Sequence, residues 1–318
     1  MADSEEAIEA APQSRPKRFA LLKRALLVGL ILGASSLVYN PFAKWMVTRW
    51  DANAPRNAEG ILIGAEELDL GPEDASTAVL LVHGFVGGSN NFWELPQRLA
   101  DAGFRVRAMR LPGHGTSAIE FAQTPPGDFP VAVLQELRQL KESYPKVILI
   151  GHSMGGALST LSAAMEEVDG LVLGAPYYGI SYQWYYVLPA EFWAKVTAPA
   201  VKWMYRTDKF TRVNRAEARQ EILAYRWIPS AGTQTLIHIG RRARDPFVLE
   251  QIQCPVLMLH SPDDFAASPA KAQEAFDLLG SEDKRLVWLE KSDHQIFWDY
   301  DRDEVIEEIL AFVEKVRS

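Results

Sequence analysis

Residues 147–158 constrain this chain more than any other stretch. Val147, Ile148, Leu149 and Ile150 form an apolar run of strand character. The run ends in Gly151-His152-Ser153-Met154-Gly155, and Gly156, Ala157 and Leu158 open a helix of small residues. A G-x-S-x-G turn between strand and helix is too tight for side chains at its flanks, so glycine is needed at both ends. Ser153 is then pushed out at the strand tip with its hydroxyl exposed, and the following amide, that of Met154, points toward whatever meets it. Five residues alone are a weak pattern. A serine hydroxyl is a poor nucleophile until a neighbouring base takes its proton and a third group orients that base. The reading therefore depends on an acid, a histidine and a second amide donor elsewhere.

The rest of the chain supplies a sheet that could hold them. Ala78-Val-Leu-Leu-Val82 reads as a strand buried on both faces, Phe104–Met109 as another, and Leu171–Gly174, Pro255–His260 and Leu286–Leu289 as three more. Gly60–Gly64 and Glu67–Gly71 suggest short edge strands. Helices are expected over 91–102, up to Lys141, over 157–167 and over 303–316. Strands alternating with helices at this spacing require an α/β fold with a mostly parallel central sheet and right-handed crossovers. His83-Gly84-Phe85-Val86-Gly87-Gly88 follows the second strand, and glycine-rich backbone at such a strand tip can turn its amides toward a ligand.

Two candidate acids, Asp263 and Asp264, sit directly after the strand ending at His260, and a candidate base, His294, lies in the loop before the last helix. All fall at carboxyl ends of strands, where open α/β sheets bind ligands. Asp293 is a weaker acid, since it would have to fold back on its own loop. His83 is expected to brace the glycine loop, and His114 and His152 read as structural. His238 and His260 have no partner at metal-ligand spacing, and neither H-x-H nor H-E-x-x-H occurs, so no metal is expected. No dinucleotide or redox loop appears, so no cofactor is expected.

The stretch 176–252 breaks the alternation. It holds Tyr177, Tyr178, Phe192, Trp193, Trp203 and Tyr205 among other aromatics, then a charged run over 214–226 read as helical. It is expected to be a helical cap over the strand ends. Each of these aromatics is expected to belong to the cap's own core, with Pro176 and Tyr177, directly after a strand, the best placed to face the site.

At the other end, residues 1–24 read as a disordered tail, acidic first and then basic at Arg15, Lys17, Arg18, Lys23 and Arg24. No charge falls between Arg24 and Lys44, a gap of roughly 28 Å of helix, close to the hydrocarbon thickness of a bilayer. Tyr39, Trp45 and Trp50 lie where an interfacial aromatic belt would be. Residues 25–43 are therefore expected to be a single-pass signal anchor, followed by a linker over 44–59. The basic side would stay in the cytoplasm and the folded domain would lie outside. A cleaved signal peptide is the alternative, with one passable cleavage site near Ala34 and Ser36.

A net charge of −8 argues against nucleic acid as a partner, and the single Cys254, next to Pro255 and a strand, reads as a structural thiol.

Together the His83-Gly84-Phe85 loop, the Gly151–Gly156 turn and the end of the chain from Ser292-Asp293-His294 to Phe312 resemble a family. The chain looks like a serine hydrolase of the α/β-hydrolase superfamily, and is similar to its bacterial carboxylesterases and monoacylglycerol lipases over roughly residues 60–318. The resemblance implies an α/β-hydrolase core of 60–175 and 253–318, with 176–252 as the cap. It implies Ser153 as nucleophile, His294 as general base and the amides of Phe85 and Met154 as oxyanion hole. The family's acid loop runs Gly-x-x-Asp-x-x-Val. Ser261 in the glycine position puts the acid at Asp264 and Ala267 on the valine, with Asp263 one residue away as the other register. The implied activity is ester hydrolysis on a lipid-like or medium-chain acyl substrate such as a monoacylglycerol. Two other readings remain. A prolyl-aminopeptidase-like peptidase would want an acidic cap residue, Glu191 or Glu217, to grip an amine. A catalytically inactive hydrolase would serve as a binding protein.

Overall fold

The computed structural model describes residues 15–181 and 188–318, with backbone alone for most of 15–32. A seven-stranded sheet organises them. Its strands are β1 (Leu68–Leu70), β2 (Thr77–Val82), β3 (Arg105–Met109), β4 (Lys146–His152), β5 (Gly170–Gly174), β8 (Val256–His260) and β9 (Lys284–Trp288). The two remaining strands, β6 (Trp203–Tyr205) and β7 (Trp227–Pro229), form a small antiparallel pair of their own. Across the large sheet the order is β1-β3-β2-β4-β5-β8-β9, and only β1 runs antiparallel.

The helices are α1 (Arg15–Asn53), α2 (Leu95–Asp101), α3 (Ala118–Gln123), α4 (Asp128–Ser143), α5 (Met154–Met165), α6 (Ala190–Thr197), α7 (Ser230–Ala243), α8 (Pro246–Glu250), α9 (Pro269–Leu278) and α10 (Arg302–Arg317). Successive side chains of a strand point to opposite faces, so the central strands must be apolar throughout. Ala78, Leu80, Val82, Val147 and Leu149 feed one core with α4 and α5, while Val79, Leu81, Ile148 and Ile150 feed the other with α2 and α10. Chain growth reverses direction at β2, whose neighbours are β3 on one side and β4 on the other. The crevice at a reversal of this kind opens beyond the carboxyl ends of the strands.

Several expectations change. The helix foreseen over 91–102 is broken: a 3-10 turn covers Ser89–Phe92, Trp93 takes φ +49°, and α2 begins only at Leu95, with Pro96 in its first turn. Gly60–Gly64 contributes one isolated bridge, Arg56 to Leu62, rather than a strand. The charged run 214–226 contains a single 3-10 turn, Glu217–Gln220. Its backbone is spent elsewhere: the amides of Asn214 and Arg215 bond to Asp299, and that of Leu223 bonds to Asn90 Oδ1.

The N-terminal segment differs most. Residues 1–14 of the expected tail lie outside the described residues, while 15–24 already belong to α1. The expected linker is helical up to Asn53, and Ala43 and Val47 are fully buried in the core. Trp50 meets Tyr225 edge to face at 5.9 Å. Among the described residues no helix is long and apolar enough to cross a membrane, and most side chains of 25–32, the apolar centre of the expected anchor, lie outside them. Cys254 is half-buried, and burial pushes its thiol up to about 12, the behaviour of an inert thiol.

Candidate active site

Ser153 caps β4 and starts α5 with φ +55° and ψ −116°, a strained backbone for a residue with a Cβ. Such a conformation costs about 1–3 kcal/mol and survives only where its surroundings over-determine it. They do so here. The Ser153 amide donates to the Gly174 carbonyl at 2.9 Å, and its carbonyl accepts from Tyr177 and Ala157 at 2.9 and 3.2 Å. A Cβ on Gly155 would stand 1.9 Å from the Val82 carbonyl oxygen, and one on Gly151 2.4 Å from the Gly155 carbonyl oxygen. Strands β2 and β4 and helix α5 therefore meet too closely for any other residue at either position.

From the serine a hydrogen-bonded chain runs inward. The Ser153 hydroxyl lies 2.8 Å from His294 Nε2, and His294 Nδ1 lies 2.7 Å from Asp264 Oδ2. The carboxylate at Asp264 makes Nδ1 the donor, which leaves Nε2 bare to accept from Ser153. Asp264 is buried, and its Oδ1 accepts the amides of Ala266 and Ala267 at 2.7 and 2.8 Å. Burial alone would raise this carboxyl, but the charge and hydrogen bond of His294, then His260 and the Ala267 amide, outweigh it and hold the group below the usual carboxylate range. Burial by itself would likewise lower His294. The charge of Asp264 and its hydrogen bond reverse that and raise the imidazole above its ordinary 6.5.

The structure thus joins Asp264, rather than Asp263, to the histidine. Asp263 is exposed, with its amide on Ser261 Oγ. Asp293 accepts the amides of Phe265 and His294, bracing both loops without touching the imidazole.

The loop after β2 abuts the serine, since a Cβ on Gly84 would lie 3.2 Å from that of Ser153. Its amides are committed on either side of Phe85: Gly84 N to Asn91 Oδ1 at 3.1 Å and Val86 N to His114 Nε2 at 3.1 Å. Among the described residues, the Phe85 amide between them has no protein acceptor. Met154 is the first residue of α5, so its amide is one of the helix-start donors without an intrahelical acceptor.

Three buried histidines frame this arrangement, all kept neutral by burial. His83, lowered to about 4, donates from Nδ1 to Gly84 O and accepts the Leu111 amide on Nε2. His114, lowered well below 6.5, donates to Pro112 O while holding Val86. His152, lowered to about 3, donates from Nε2 to the carbonyl of His294 itself. The residue between the elbow glycine and the serine therefore positions the loop that carries His294.

Pro176 and Tyr177 are near the serine in a different sense from the one expected. The Tyr177 amide holds the Ser153 carbonyl, but its ring packs on α7, where a Cβ on Gly240 would fall 2.8 Å from ring carbons. Pro176 packs on α5 at Gly156. Among the described residues no group of three His, Cys, Asp or Glu side chains could hold a metal ion.

One participant escaped the sequence. The Asp299 carboxylate is fully buried and accepts four amides: Asn214 and Arg215 of the cap at 2.7 and 3.1 Å, and Asp293 and Tyr300 of the base loop at 2.9 Å each. In sequence it is one acid among several just before a helix, where acids are common anyway. Asp299→Ala leaves buried donors unpaired and is expected to cost on the order of 3–5 kcal/mol in urea unfolding. A loss below about 1 kcal/mol would show that the loops hold together without it.

Fold and site define an α/β-hydrolase of the serine-hydrolase type. The chain belongs to the serine aminopeptidase S33 family, whose model matches residues 73–301. It is 30% identical over 265 residues to a thermostable monoacylglycerol lipase of Bacillus sp. (strain H-257), covering 80% of this chain and 96% of that protein. A carboxylesterase of Bacillus subtilis (strain 168) is 25% identical over 241 residues, 75% of this chain and 93% of its own. A solved structure from work on metagenome-derived lipolytic enzymes superposes with a TM-score of 0.69 at 29% identity, covering 80% of this chain and 99% of its own.

Proposed function

We propose that this chain is a carboxylic ester hydrolase working through an acyl-serine intermediate, with Ser153, His294 and Asp264 as catalytic triad. The observation that carries the reading is the unbroken chain from the Ser153 hydroxyl through both nitrogens of His294 to Asp264. Ser153 Oγ attacks the ester carbonyl while its proton passes to His294 Nε2, and Asp264 holds the imidazolium that results. The oxyanion is met by the amides of Phe85 and Met154, each donor being worth about 3 kcal/mol of barrier in such sites. Collapse breaks the bond to the alcohol, which leaves with the proton from His294. Water then repeats the sequence on the acyl-serine, releasing the acid and restoring the serine.

The substrate class we infer is lipid-like, a monoacylglycerol or medium-chain ester. Support comes from the names of the two relatives, which this chain matches over nearly their whole lengths. A peptidase would need a free cap carboxylate for the substrate amine. Glu191 is already held by Lys271 Nζ at 3.0 Å and the Ile180 amide at 3.3 Å, and Glu217 is exposed on its 3-10 turn. Hydrolysis rates on p-nitrophenyl esters of increasing chain length, on monoacylglycerols and on aminoacyl amides test the reading. Preference for the amides would overturn it.

The pH dependence follows from His294, which serves as base only when neutral. Because its value is raised above 6.5, kcat/KM is expected to climb with pH through a midpoint above that value. A midpoint below 6.5 would mean that the Asp264 pairing does not persist in solution.

We further infer that the apolar part of α1 N-terminal to Ser36 contacts a membrane, N-terminus cytoplasmic and hydrolase outside. The other end of the expected anchor 25–43 is committed to the fold, with Ser36, Tyr39 and Asn40 bonded to residues 200–203 and Ala43 buried. The support is the charge-free run after five basic residues. Fractionation of a chain lacking residues 1–43 tests this, since sedimentation with membranes would remove the helix from the argument.

A further inference from the structure

We propose that His114 and the cap residue Tyr225 are positioning residues of the oxyanion hole, clamping Val86 so that the Phe85 amide stays aimed at the reacting carbonyl. The inference rests on the ester-hydrolase reading above and names the groups that keep one of its two oxyanion donors in place.

Gly84, Phe85, Val86 and Gly87 form a turn closed by the Gly87 amide on the Gly84 carbonyl at 3.3 Å. Phe85 is its first central residue, and the closing bond of such a turn leaves that residue's amide unused. Val86 is the second, with φ +55°. Turns with a positive φ at this position ordinarily place glycine or asparagine there. A branched side chain in the left-handed region is an outlier, because its Cβ crowds a carbonyl oxygen. Valine itself therefore works against the turn that presents the Phe85 amide.

The peptide planes on both sides of Phe85 are held from outside the turn. The Gly84 carbonyl shares a plane with the Phe85 amide and points the opposite way, and it accepts His83 Nδ1 at 2.9 Å. The Val86 amide donates to His114 Nε2 at 3.1 Å, and the Val86 carbonyl accepts the Tyr225 amide at 3.2 Å. Val86 is thus gripped by both of its backbone polar groups, and its side chain is buried as well. Released from these bonds, it would relax toward negative φ and swing the turn, the Phe85 amide with it.

The two clamping residues are fixed to each other and to separate parts of the fold. His114 stands among aromatic rings, 4.6 Å from Phe121, 5.8 Å from Phe129 and 6.4 Å from Tyr225. Burial there keeps it neutral, as an acceptor of the Val86 amide must be. The Tyr225 hydroxyl donates to the Gly113 carbonyl at 3.0 Å and accepts the Thr116 amide at 3.2 Å, both on the loop that carries His114. Trp50 of α1 backs its ring edge to face. Cap, His114 loop and N-terminal helix therefore converge on one residue of the oxyanion loop. Trp50 lies outside the span matched by the family, so α1 adds support that the matched span does not contain.

The test measures kcat and KM on p-nitrophenyl butyrate, together with the affinity of butylboronic acid. The tetrahedral boronate adduct on Ser153 places an oxygen in the oxyanion hole. His114→Leu removes the acceptor of the Val86 amide, and Tyr225→Phe removes only the hydroxyl that ties the cap residue to the His114 loop. The expected fall in kcat is about a hundredfold for His114→Leu and about tenfold for Tyr225→Phe, with KM changed less than about twofold. Boronate affinity should fall in the same proportion. Adding Val86→Gly to His114→Leu should raise kcat about tenfold, because glycine takes a positive φ without the clamp. A residue that served folding alone would not be rescued by taking away a buried valine. If His114→Leu does not fold, Tyr225→Phe with and without Val86→Gly carries the same comparison. Boronate binding needs no turnover, so a wild type inert toward esters would overturn the ester-hydrolase reading while the clamp is still judged. Unchanged kcat and boronate affinity in the folded variants, losses confined to KM, or losses that Val86→Gly does not relieve overturn the proposal.

Discussion

Ser153→Ala is expected to lower ester turnover by about six orders of magnitude, leaving only what binding and the oxyanion donors contribute. The substitution removes the attacking atom and one hydrogen bond, the one to His294. The elbow itself is held by backbone contacts of Ser153 with Gly174, Ala157 and Tyr177, which alanine keeps. The variant should therefore unfold at nearly the same denaturant concentration as the wild type. A fluorophosphonate probe should label the wild type at Ser153 by intact mass and peptide mapping and leave the variant unlabelled. Labelling at another serine, or activity in the variant above about a thousandth of wild type, would end the triad assignment.

Asp264→Asn should be less damaging but still severe, with kcat falling about four orders of magnitude. The side-chain oxygen of asparagine can still accept the Ala266 and Ala267 amides. Its NH2 then faces His294 Nδ1 and must donate to it, which moves the ring proton to Nε2. The histidine can no longer receive the serine's proton, although the geometry hardly changes. Losing the carboxylate also removes what raises the imidazole, so the acid limb of the residual activity should move to lower pH. Asp263→Asn, at an exposed position, should change kcat less than about twofold. Equal, small losses in both variants would mean that neither acid serves the histidine.

Much of this site could be read from the residues because it lies where strands end, and strand ends are marked by abrupt loss of apolar character. Glycines 151 and 155 signal the elbow because no other residue survives the approach of β2 and α5. The acid was ambiguous by one residue because Ser261 replaces the glycine that would have set the register. In the structure Ser261 donates to the Ser292 carbonyl and so ties the acid loop to the base loop. The cap was poorly legible for a different reason. Residues 214–226 carry helix-compatible charges, but their amides are claimed by Asp299 and Asn90, and tertiary partners override local preference. Helix α1 hid its inner stripe because Ser36, Tyr39, Asn40, Ala43 and Val47 look like ordinary members of an apolar segment until their partners are known. His83 could be assigned to the glycine loop from its position, whereas His114 and His152 could be given duties only once their partners were in place.

The four amides gathered by Asp299 constrain how the cap can open. Two belong to the cap at Asn214 and Arg215, and two to the loop that carries His294. A cap that lifted bodily would pull on the base it shelters and dismantle the catalytic chain as the substrate arrived. Asn214 and Arg215 therefore behave as a fixed heel. Any displacement of this part of the cap is thereby transmitted to the loop that carries His294.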